Sequence, residues 1–442
     1  MFMPSNPEME TAAPRPGAPQ RPADKWVWGF YIILCLISLV ESYSASSQDI
    51  AKYGLFMPIF KHGILLLVGI GVAFGLQHVH YNRFKVFIPI FAILTLVLVL
   101  YVMKYGEVLN GARRSFRLLG FSVQPSEMAK LSLVTIIAWV MSKVQIPGGG
   151  VKWGGIVVCA TAVMIFGALL YPQGFTNTVI LMGISLAMML ISGIQVRRLV
   201  IVLAVYGLCF FAYKSYDKHN ESREALTAEV TQVERAATDK NASPDRTATR
   251  ENRLKSFDFN EDSCLAHPMT SEYHQEQYGY MARAHGGVFG VWPGNSRECS
   301  RLPLAFSDYV FSIIVEELGL VGALVIMALY LSLLGRAGYI AQRCKRAFPA
   351  LLVMGMAVMI TVQALSHMAI NCGMVPVTGQ PLPFISKGGS AIVIMSLAMG
   401  IMLSVSRYAE YNTGKKKTAA AVAKELSGDD DKDAINPAQI LK

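Results

Sequence analysis

Eight ionisable side chains sit where long apolar stretches of this chain end: Glu41, Lys61, His62, Glu127, Lys130, Glu316, Glu317 and Lys387. A charge is expensive at membrane depth, so such residues are functional candidates first. Five cations, Lys61, Arg113, Arg114, Lys130 and Lys387, fall on one side of the topology derived below, with carboxylates beside them. That set suits an anionic substrate. Arg and Lys make charge-assisted hydrogen bonds to phosphate or carboxylate, and a carboxylate can take a proton as general base. A second reading competes for part of it: Glu127 and Lys130 lie three apart on one helix face and can pair structurally whatever the chain does.

The segment Asn371–Ser390, NCGMVPVTGQPLPFISKGGS, points to the same region. Its three prolines and four glycines rule out one regular helix. Non-helical backbone at membrane depth is tolerated where it lines a cavity or is buried in protein.

The elements that must position these residues are membrane helices. Hydrophobic residues make up 53% of the 442-residue chain and charged residues 16%, against roughly 25% charged in soluble proteins. The apolar residues cluster in runs long enough to cross a bilayer as helices. About ten such spans are expected: Trp26–Tyr43, Leu55–Leu76, Val86–Met103, Met128–Met141, Gly154–Tyr171, Thr176–Ile191, Leu199–Tyr213, Tyr309–Leu334, Ala350–Ile370 and Ala391–Val405. The first 25 residues lack the basic-then-apolar pattern of a cleavable signal peptide, so the first run reads as a retained span. The net charge of +10 reflects basic residues flanking apolar runs, which is membrane topology rather than nucleic-acid binding.

Lys and Arg in short connections set the orientation. Arg83, Lys85, Lys143, Lys152, Arg197, Arg198, Arg336, Arg343, Lys345, Arg346, Arg407 and Lys415–Lys417 share one side, so both termini are expected in the cytoplasm. The outside loop Lys104–Glu127 breaks the rule with Arg113, Arg114 and Arg117. Binding an anionic group at the outer surface would explain that, and simple tolerance in a short loop is the alternative. The expected organisation is a disordered tail at 1–24, spans one to seven at 25–213, an extracytoplasmic loop at 214–306, spans eight to ten at 307–408, and a second disordered tail at 409–442. Within the long loop, Tyr216–Arg250 reads as solvated helix of mixed charge, while Glu251–Phe306 is richer in aromatics, Gly and His. Of the seven cysteines, none at CxxC spacing, Cys264 and Cys299 share this loop, either as a bridge or as two thiols.

Three stretches resemble the SEDS family (shape, elongation, division and sporulation), whose members polymerise peptidoglycan from lipid II. Gly111–Lys130, GARRSFRLLGFSVQPSEMAK, is similar to the family's GARRW…QPSE…K. Leu302–Gly319, LPLAFSDYVFSIIVEELG, is similar to LPEAHTDFIFAIIGEELG. Pro376–Ser390, PVTGQPLPFISKGGS, is similar to PVTGLPLPFVSYGGS, and Glu41–Ser46 resembles the family's SAS segment. With the expected spans and the long loop, the resemblance covers nearly the whole chain. Departures are Gln173 for an Asp, His367 for an Asn, Lys387 for a Tyr and Ser115 for a Trp.

The resemblance implies an all-α integral membrane glycosyltransferase in the bacterial cytoplasmic (inner) membrane. A sugar hydroxyl of one lipid II would attack the anomeric carbon of the growing strand, and undecaprenyl pyrophosphate would leave. The family's catalytic Asp, in a pattern like SFWNPWEDPFGSGYQ, aligns with Asp262 in SFDFNEDSCLAHPMTSEYHQ. An insertion before Pro268 leaves Asp258 as the second candidate. Substrate contacts are implied for Lys61, Arg113, Arg114, Gln124, Ser126, Glu127, Lys130, Asp308, Ser386, Lys387 and Ser390. No cofactor is firmly implied; a divalent cation, Mg or Mn, is an optional further stabiliser of the leaving group. Implied partners are lipid II, a class B penicillin-binding protein (an FtsI-like transpeptidase) and other division proteins. The SAS segment and the Arg pair favour the FtsW-type division branch, with the RodA-type elongation branch as the alternative. Two other classes compete, a lipid II flippase and a non-catalytic divisome scaffold.

Overall fold

The computed structural model describes residues 22–44, 56–109, 112–118, 121–146, 150–208, 274–302, 305–344, 346–375 and 379–408. Asp258, Asp262, Cys264, the Tyr216–Arg250 insertion and both tails lie outside the described residues. In chain order the elements are α1 (Lys25–Ser44), α2 (Phe56–Leu76), α3 (Tyr81–Tyr105), β1 (Glu107–Leu109), β2 (Ala112–Leu118), β3 (Phe121–Val123), α4 (Pro125–Lys143), α5 (Trp153–Leu170), α6 (Phe175–Ile191), α7 (His274–Gly286), α8 (Val310–Arg343), α9 (Ala347–Asn371) and α10 (Ser390–Tyr408). A further helical run occupies 196–208.

The fold is that of an all-α integral membrane protein. Among the described residues seven helices are long and apolar enough to cross a bilayer: α1, α2 from Ile59, α3, α5, α8, α9 and α10. Their burial sorts them into layers. In α9, 83% of the most apolar stretch is buried, against 22% in α2 and in α3. α9 packs against α4, α6, α8 and α10, while α2 packs on α1 and α10, and α3 on α4. The outer helices turn large apolar side chains outward, among them Phe60, Leu67, Ile93 and Val157, as a lipid-facing surface should. α4, with Glu127, Lys130 and Ser132 of its first half fully buried, is hidden behind them.

Two contacts mark the ends of the bundle. At one end Asp24 takes a bidentate ion pair from Arg336 of α8 (Nη2–Oδ2 2.6 Å), while its Oδ1 caps the first turn of α1 by accepting from Trp26 N and Val27 N. At the other end the Ser44 hydroxyl donates to Glu317. α1 has 20 residues, so these contacts lie about 30 Å apart, the thickness of a bilayer's hydrocarbon core. The Ser44 end is called the site end below.

Two features differ from the sequence reading. The connection between the third and fourth spans is not a plain loop. It forms an antiparallel meander, β1-β2-β3, with register Leu109↔Ala112 and Val108↔Arg113, a bulge, then Glu107↔Ser115 in the first pair, and Phe116↔Val123, Arg117↔Ser122 and Leu118↔Phe121 in the second. The expected Tyr309–Leu334 span instead runs to Arg343 and breaks at Gly319 (φ 67°, ψ −169°). The turn after α7 fills that break. Leu320 N and Val321 N donate to the Gly287 and Val288 carbonyls, and Val291 N and Trp292 N donate to the Glu316 and Glu317 carbonyls, at 2.9–3.2 Å. Four groups released by the broken helix, Leu320 N–H, Val321 N–H and the Glu316 and Glu317 carbonyls, thus find protein partners, as membrane depth demands.

Candidate functional site

The site end is organised by the irregular segment 379–389 and the first turn of α10. Each part of it is held by a different element. The Gln363 side chain on α9 donates to Pro381 O (3.4 Å), Tyr330 OH on α8 to Pro383 O (2.5 Å), and Ser38 Oγ on α1 to Ile385 O (3.1 Å). Ser386 Oγ accepts from Leu382 N (2.8 Å) and donates to Ser307 O (2.9 Å). Lys387 N donates to Phe306 O (3.0 Å), and its ammonium lies 4.8 Å from the Phe306 ring centre. Ser390 Oγ accepts from Gln124 N (2.9 Å), which joins α10 to the start of α4. The expectation of non-helical backbone at Asn371–Ser390 holds for the described part, and Gln380–Ser386 is buried in protein.

Beneath this segment lies a buried polar network. Pro125 opens α4 at its first turn, where the missing N–H costs nothing. The helix then buries Glu127 and Lys130 at 0% exposure. Lys130 Nζ donates to Glu127 Oε1 (2.7 Å), Gln363 Oε1 (2.8 Å) and Gln380 Oε1 (3.2 Å). An ammonium has three protons, and all three are engaged. Gln363 Nε2 donates to the other Glu127 oxygen (3.2 Å), and Gln380 Nε2 to Asn177 Oδ1 on α6 (2.6 Å). The structural pairing of Glu127 with Lys130 is therefore present. Lys130 faces protein on every side.

The network continues towards α8. Asn371 Oδ1 accepts from Ser312 N (3.2 Å) and Ser312 Oγ (2.9 Å), which fixes the amide with Nδ2 towards Asp308 O (3.0 Å) and His367 Nε2 (3.2 Å). His367 Nε2 is then an acceptor, so its Nδ1 carries the proton given to Gln380 O (2.6 Å).

Above the network the charged candidates converge. Arg114 Nε donates to Gln173 O (2.7 Å). Gly379 has φ 70°, and a Cβ there would lie 3.3 Å from Asp308 Oδ2 and 3.4 Å from Arg114 Nη1. The missing side chain is what lets the guanidinium and the carboxylate approach one backbone position from two elements. Ser307 Oγ donates to Asp308 Oδ1 (2.9 Å). On the other flank Lys387 acts electrostatically on His62, whose Nε2 meets Ser38 Oγ (2.7 Å); Lys61 beside it is exposed. Arg117 is outside the cluster and pairs with Glu107 (3.3 Å) at the surface. Arg113 is paired to Val108 by sheet register. Ser126 Oγ is buried without a hydrogen-bond partner, as are both amide atoms of Gln173.

The acidic pair Glu316–Glu317 forms a separate corner. Glu316 accepts from Ser296 Oγ (2.5 Å) and Arg297 N (3.0 Å), and Glu317 from Ser44 and from Gly294 N (3.2 Å). Glu41 is buried nearby with neither carboxylate oxygen hydrogen-bonded. The Cys299 thiol donates to Ser44 O (3.1 Å); whether the loop cysteines form a bridge or stay as two thiols turns on Cys264, which lies outside the described residues. At the entry to α8, burial first, then the Glu276 and Asp308 carboxylates, hold the Tyr309 hydroxyl protonated well above its usual range. Among the described residues no group of three or more His, Cys, Asp or Glu side chains fits a metal ion.

Charge marks Glu127 and Lys130 in the sequence, but it does not mark the amides that surround them. Gln363, Gln380, Asn177 and Asn371 complete the network. Each is a polar residue inside or beside an otherwise apolar run, which is the signal that finds them.

Comparison with known proteins agrees with this architecture. The family described as cell cycle protein, FtsW/RodA/SpoVE, matches residues 24–411. The probable peptidoglycan glycosyltransferase FtsW of Bacillus subtilis is 27% identical over 398 residues, 87% of this chain and 91% of its own. Stage V sporulation protein E of the same organism is 29% identical over 392 residues, 86% of this chain and 96% of its own. Among solved structures, a chain of a peptidoglycan synthase complex coordinating polymerization and crosslinking superposes with TM-score 0.64 at 21% identity, covering 88% of this chain and 99% of that one. The rod shape determining protein RodA of Thermus thermophilus gives 0.59 at 20%, covering 88% and 98%. These two likenesses show a shared fold. With the matched region spanning nearly all of the described helices, the chain belongs to the FtsW/RodA/SpoVE family of cell cycle proteins.

Proposed function

We propose that this chain is an FtsW-type peptidoglycan glycosyltransferase that polymerises lipid II into glycan strands during bacterial cell division. It works in the cytoplasmic membrane, with both termini inside and the site end outward. The observation that carries this reading is the approach of Arg114 and Asp308 to one backbone position, Gly379, next in the chain to the Gln380 that joins the buried Glu127–Lys130 network, in a chain of this family. Basic residues at the opposite end, Arg83, Lys143, Arg198, Arg336 and Arg407, support the orientation.

In this proposal Asp262 takes the proton of the attacking sugar hydroxyl as general base. The oxygen bonds to the anomeric carbon, and the pyrophosphate leaves with the electron pair of the broken bond. Arg114, with Arg113, Lys61 and Lys387, stabilises the charge growing on the pyrophosphate. Lys130 shapes the floor without touching substrate, because its three donors are engaged. A divalent cation, Mg or Mn, is in this proposal an optional further stabiliser of the leaving pyrophosphate, and the side chains named here carry the steps without it. The outward apolar flanks of α2 and α3 offer surface for the polyprenyl tail. A transporter would set its polar residues at the bilayer midplane. Lys130 instead lies five residues into α4, about 8 Å from the helix start, which favours chemistry at the outer surface over a flippase.

The test is glycan synthesis from lipid II by purified protein with its transpeptidase partner. Polymer should form with the parent and vanish in Asp262→Asn at unchanged folded yield. An inactive parent would sink the reading, while an active Asp262→Asn beside an inactive Asp258→Asn moves the base to Asp258. The proposed partner is a single-span class B penicillin-binding protein, met in part through Tyr216–Arg250. Deleting Glu221–Ala248 should weaken co-purification, and an intact complex would remove that surface from consideration.

A further inference from the structure

The polymerase reading leaves one feature unexplained: an amide, Gln380, standing where the family stretch quoted above has Leu. A histidine stands four residues before the end of α9, at 367, where an Asn is expected. The two substitutions meet. His367 Nδ1–H donates to the backbone oxygen of Gln380 (2.6 Å), while the Gln380 side chain supplies the third acceptor of Lys130 (3.2 Å) and donates to Asn177 (2.6 Å). Gln380 is 2% exposed and His367 1%. Gly379, the residue before Gln380, is the backbone position that Arg114 and Asp308 both approach.

We infer that Gln380 and His367 are a coupled pair of positioning residues: together they clamp the 379–389 segment onto the Lys130 network and so hold Arg114 and Asp308 at the reacting end. The inference rests on the polymerase reading. Its physical basis is an accounting of buried donors. Lys130 at 0% exposure cannot exchange a lost acceptor for water, and an unsatisfied buried donor costs more than the net worth of the bond it made. Without the Gln380 amide, Lys130 and Asn177 each lose a partner; the segment loses its hydrogen bond to α6 and is tied to α9 only through the Gln380 and Pro381 carbonyls. Without the His367 imidazole, the Gln380 carbonyl loses its donor and Asn371 loses an acceptor. Either change frees the same few residues, so the second change has little left to loosen.

Neither side chain is placed at the substrate. Loosening them should therefore act on the fit to the transition state, where charge develops beside Arg114, more than on ground-state binding. In steady-state polymerisation of lipid II, Gln380→Leu should lower kcat about tenfold, the worth of a charge-assisted hydrogen bond, with KM within about twofold. His367→Asn should do likewise. The double variant, which carries the residues expected from the family, should be no slower than the worse single variant, because residues acting as a unit are not additive. A merely structural role would lower thermal stability and the active fraction while leaving kcat per folded molecule alone, so melting temperature and active fraction are measured alongside.

Gln380→Met guards against a failure to fold. It keeps the length of the side chain and removes both of its hydrogen bonds without adding a buried charge, so its rate should fall as that of Gln380→Leu does. Three results overturn the inference: a Gln380→Leu enzyme (Gln380→Met where the former does not fold) at the parent rate, two single effects that multiply in the double variant, or a loss confined to KM. A parent that makes no glycan refutes the polymerase reading and this inference with it. An active parent with an indifferent Gln380 refutes this inference alone.

Discussion

Replacing Gly319 by alanine probes how the site end is held together. Gly319 has φ 67° and ψ −169°, a region essentially closed to residues with a side chain, where occupancy costs about 1–3 kcal/mol. A Cβ there would lie 2.3 Å from Val288 O and 2.5 Å from Gly290 N. Both are backbone atoms, so no side chain can swing aside; the turn that follows α7 must lift. Lifting it breaks up to four hydrogen bonds, those of Leu320, Val321, Val291 and Trp292 N–H, each worth about 0.5–1.5 kcal/mol net. The chain takes the cheaper mixture of strain and lost bonds, so the expected destabilisation is about 3–5 kcal/mol. Gly335 on the same helix has open space where its Cβ would sit, and Gly335→Ala should be neutral or slightly stabilising. Thermal unfolding of the detergent-solubilised protein reads the difference. Hydrogen exchange at Leu320 and Val321 shows whether the turn has lifted. A Gly319→Ala protein with the parent's melting temperature and protected amides at both positions refutes the reasoning.

Lys130→Met should destabilise the fold by about 3–5 kcal/mol, because it strands the Glu127 charge at 0% exposure. Adding Glu127→Gln should recover part of that loss, and a double variant no more stable than the single would show that stranded charge is not the cause. At the opposite end, His80 caps α3 by accepting from Asn82 N (3.2 Å). Burial first, then Arg83, Arg346 and Lys85, hold its imidazole below the ordinary 6.5. The folded state thus binds the proton less readily than the unfolded chain, so the stability His80 confers is complete above about pH 6.5 and is lost as the pH falls below it. Melting temperature should drop between pH 7.5 and 5.5 less steeply in His80→Gln than in the parent; parallel curves would remove His80 as the source.

The spans were legible because a bilayer demands about 20 apolar residues of a helix, and this constraint is written locally. α1, α3, α9 and α10 lie within a few residues of the apolar runs that announce them, α3 starting earlier at Tyr81. The meander was legible in principle. Asn110-Gly111 is a strong two-residue hairpin signal in the sequence, and the structure pairs Leu109 with Ala112. The break in α8 was not legible. Gly319 sits in an apolar run like any packing glycine, and what makes it a break is the turn near 290 that supplies substitute hydrogen bonds. Such a partner is set by the tertiary fold, and no window around residue 319 contains it.

The site's charges were legible in the sequence and the amides around Lys130 were not, for the same physical reason. A charge in an apolar run is costly wherever it ends up, so Glu127 and Lys130 stand out from their sequence neighbours alone. An amide is cheap enough to pass as tolerated, and its importance depends on what it meets. Gln363, on α9, meets both members of the ion pair and Pro381 O; Gln380 meets Lys130 and Asn177. A buried ion pair alone recovers its desolvation cost only when further hydrogen bonds satisfy the remaining donors and acceptors. The two glutamines supply those bonds. They also help make the irregular 379–389 segment tenable, since its own turns leave the Pro381, Pro383 and Ile385 carbonyls and the Lys387 N–H to find partners on α9, α8, α1 and at Phe306. Lys387 and Arg114, on opposite flanks, are therefore positioned by one shared segment, and a change that loosens it should disturb both flanks together.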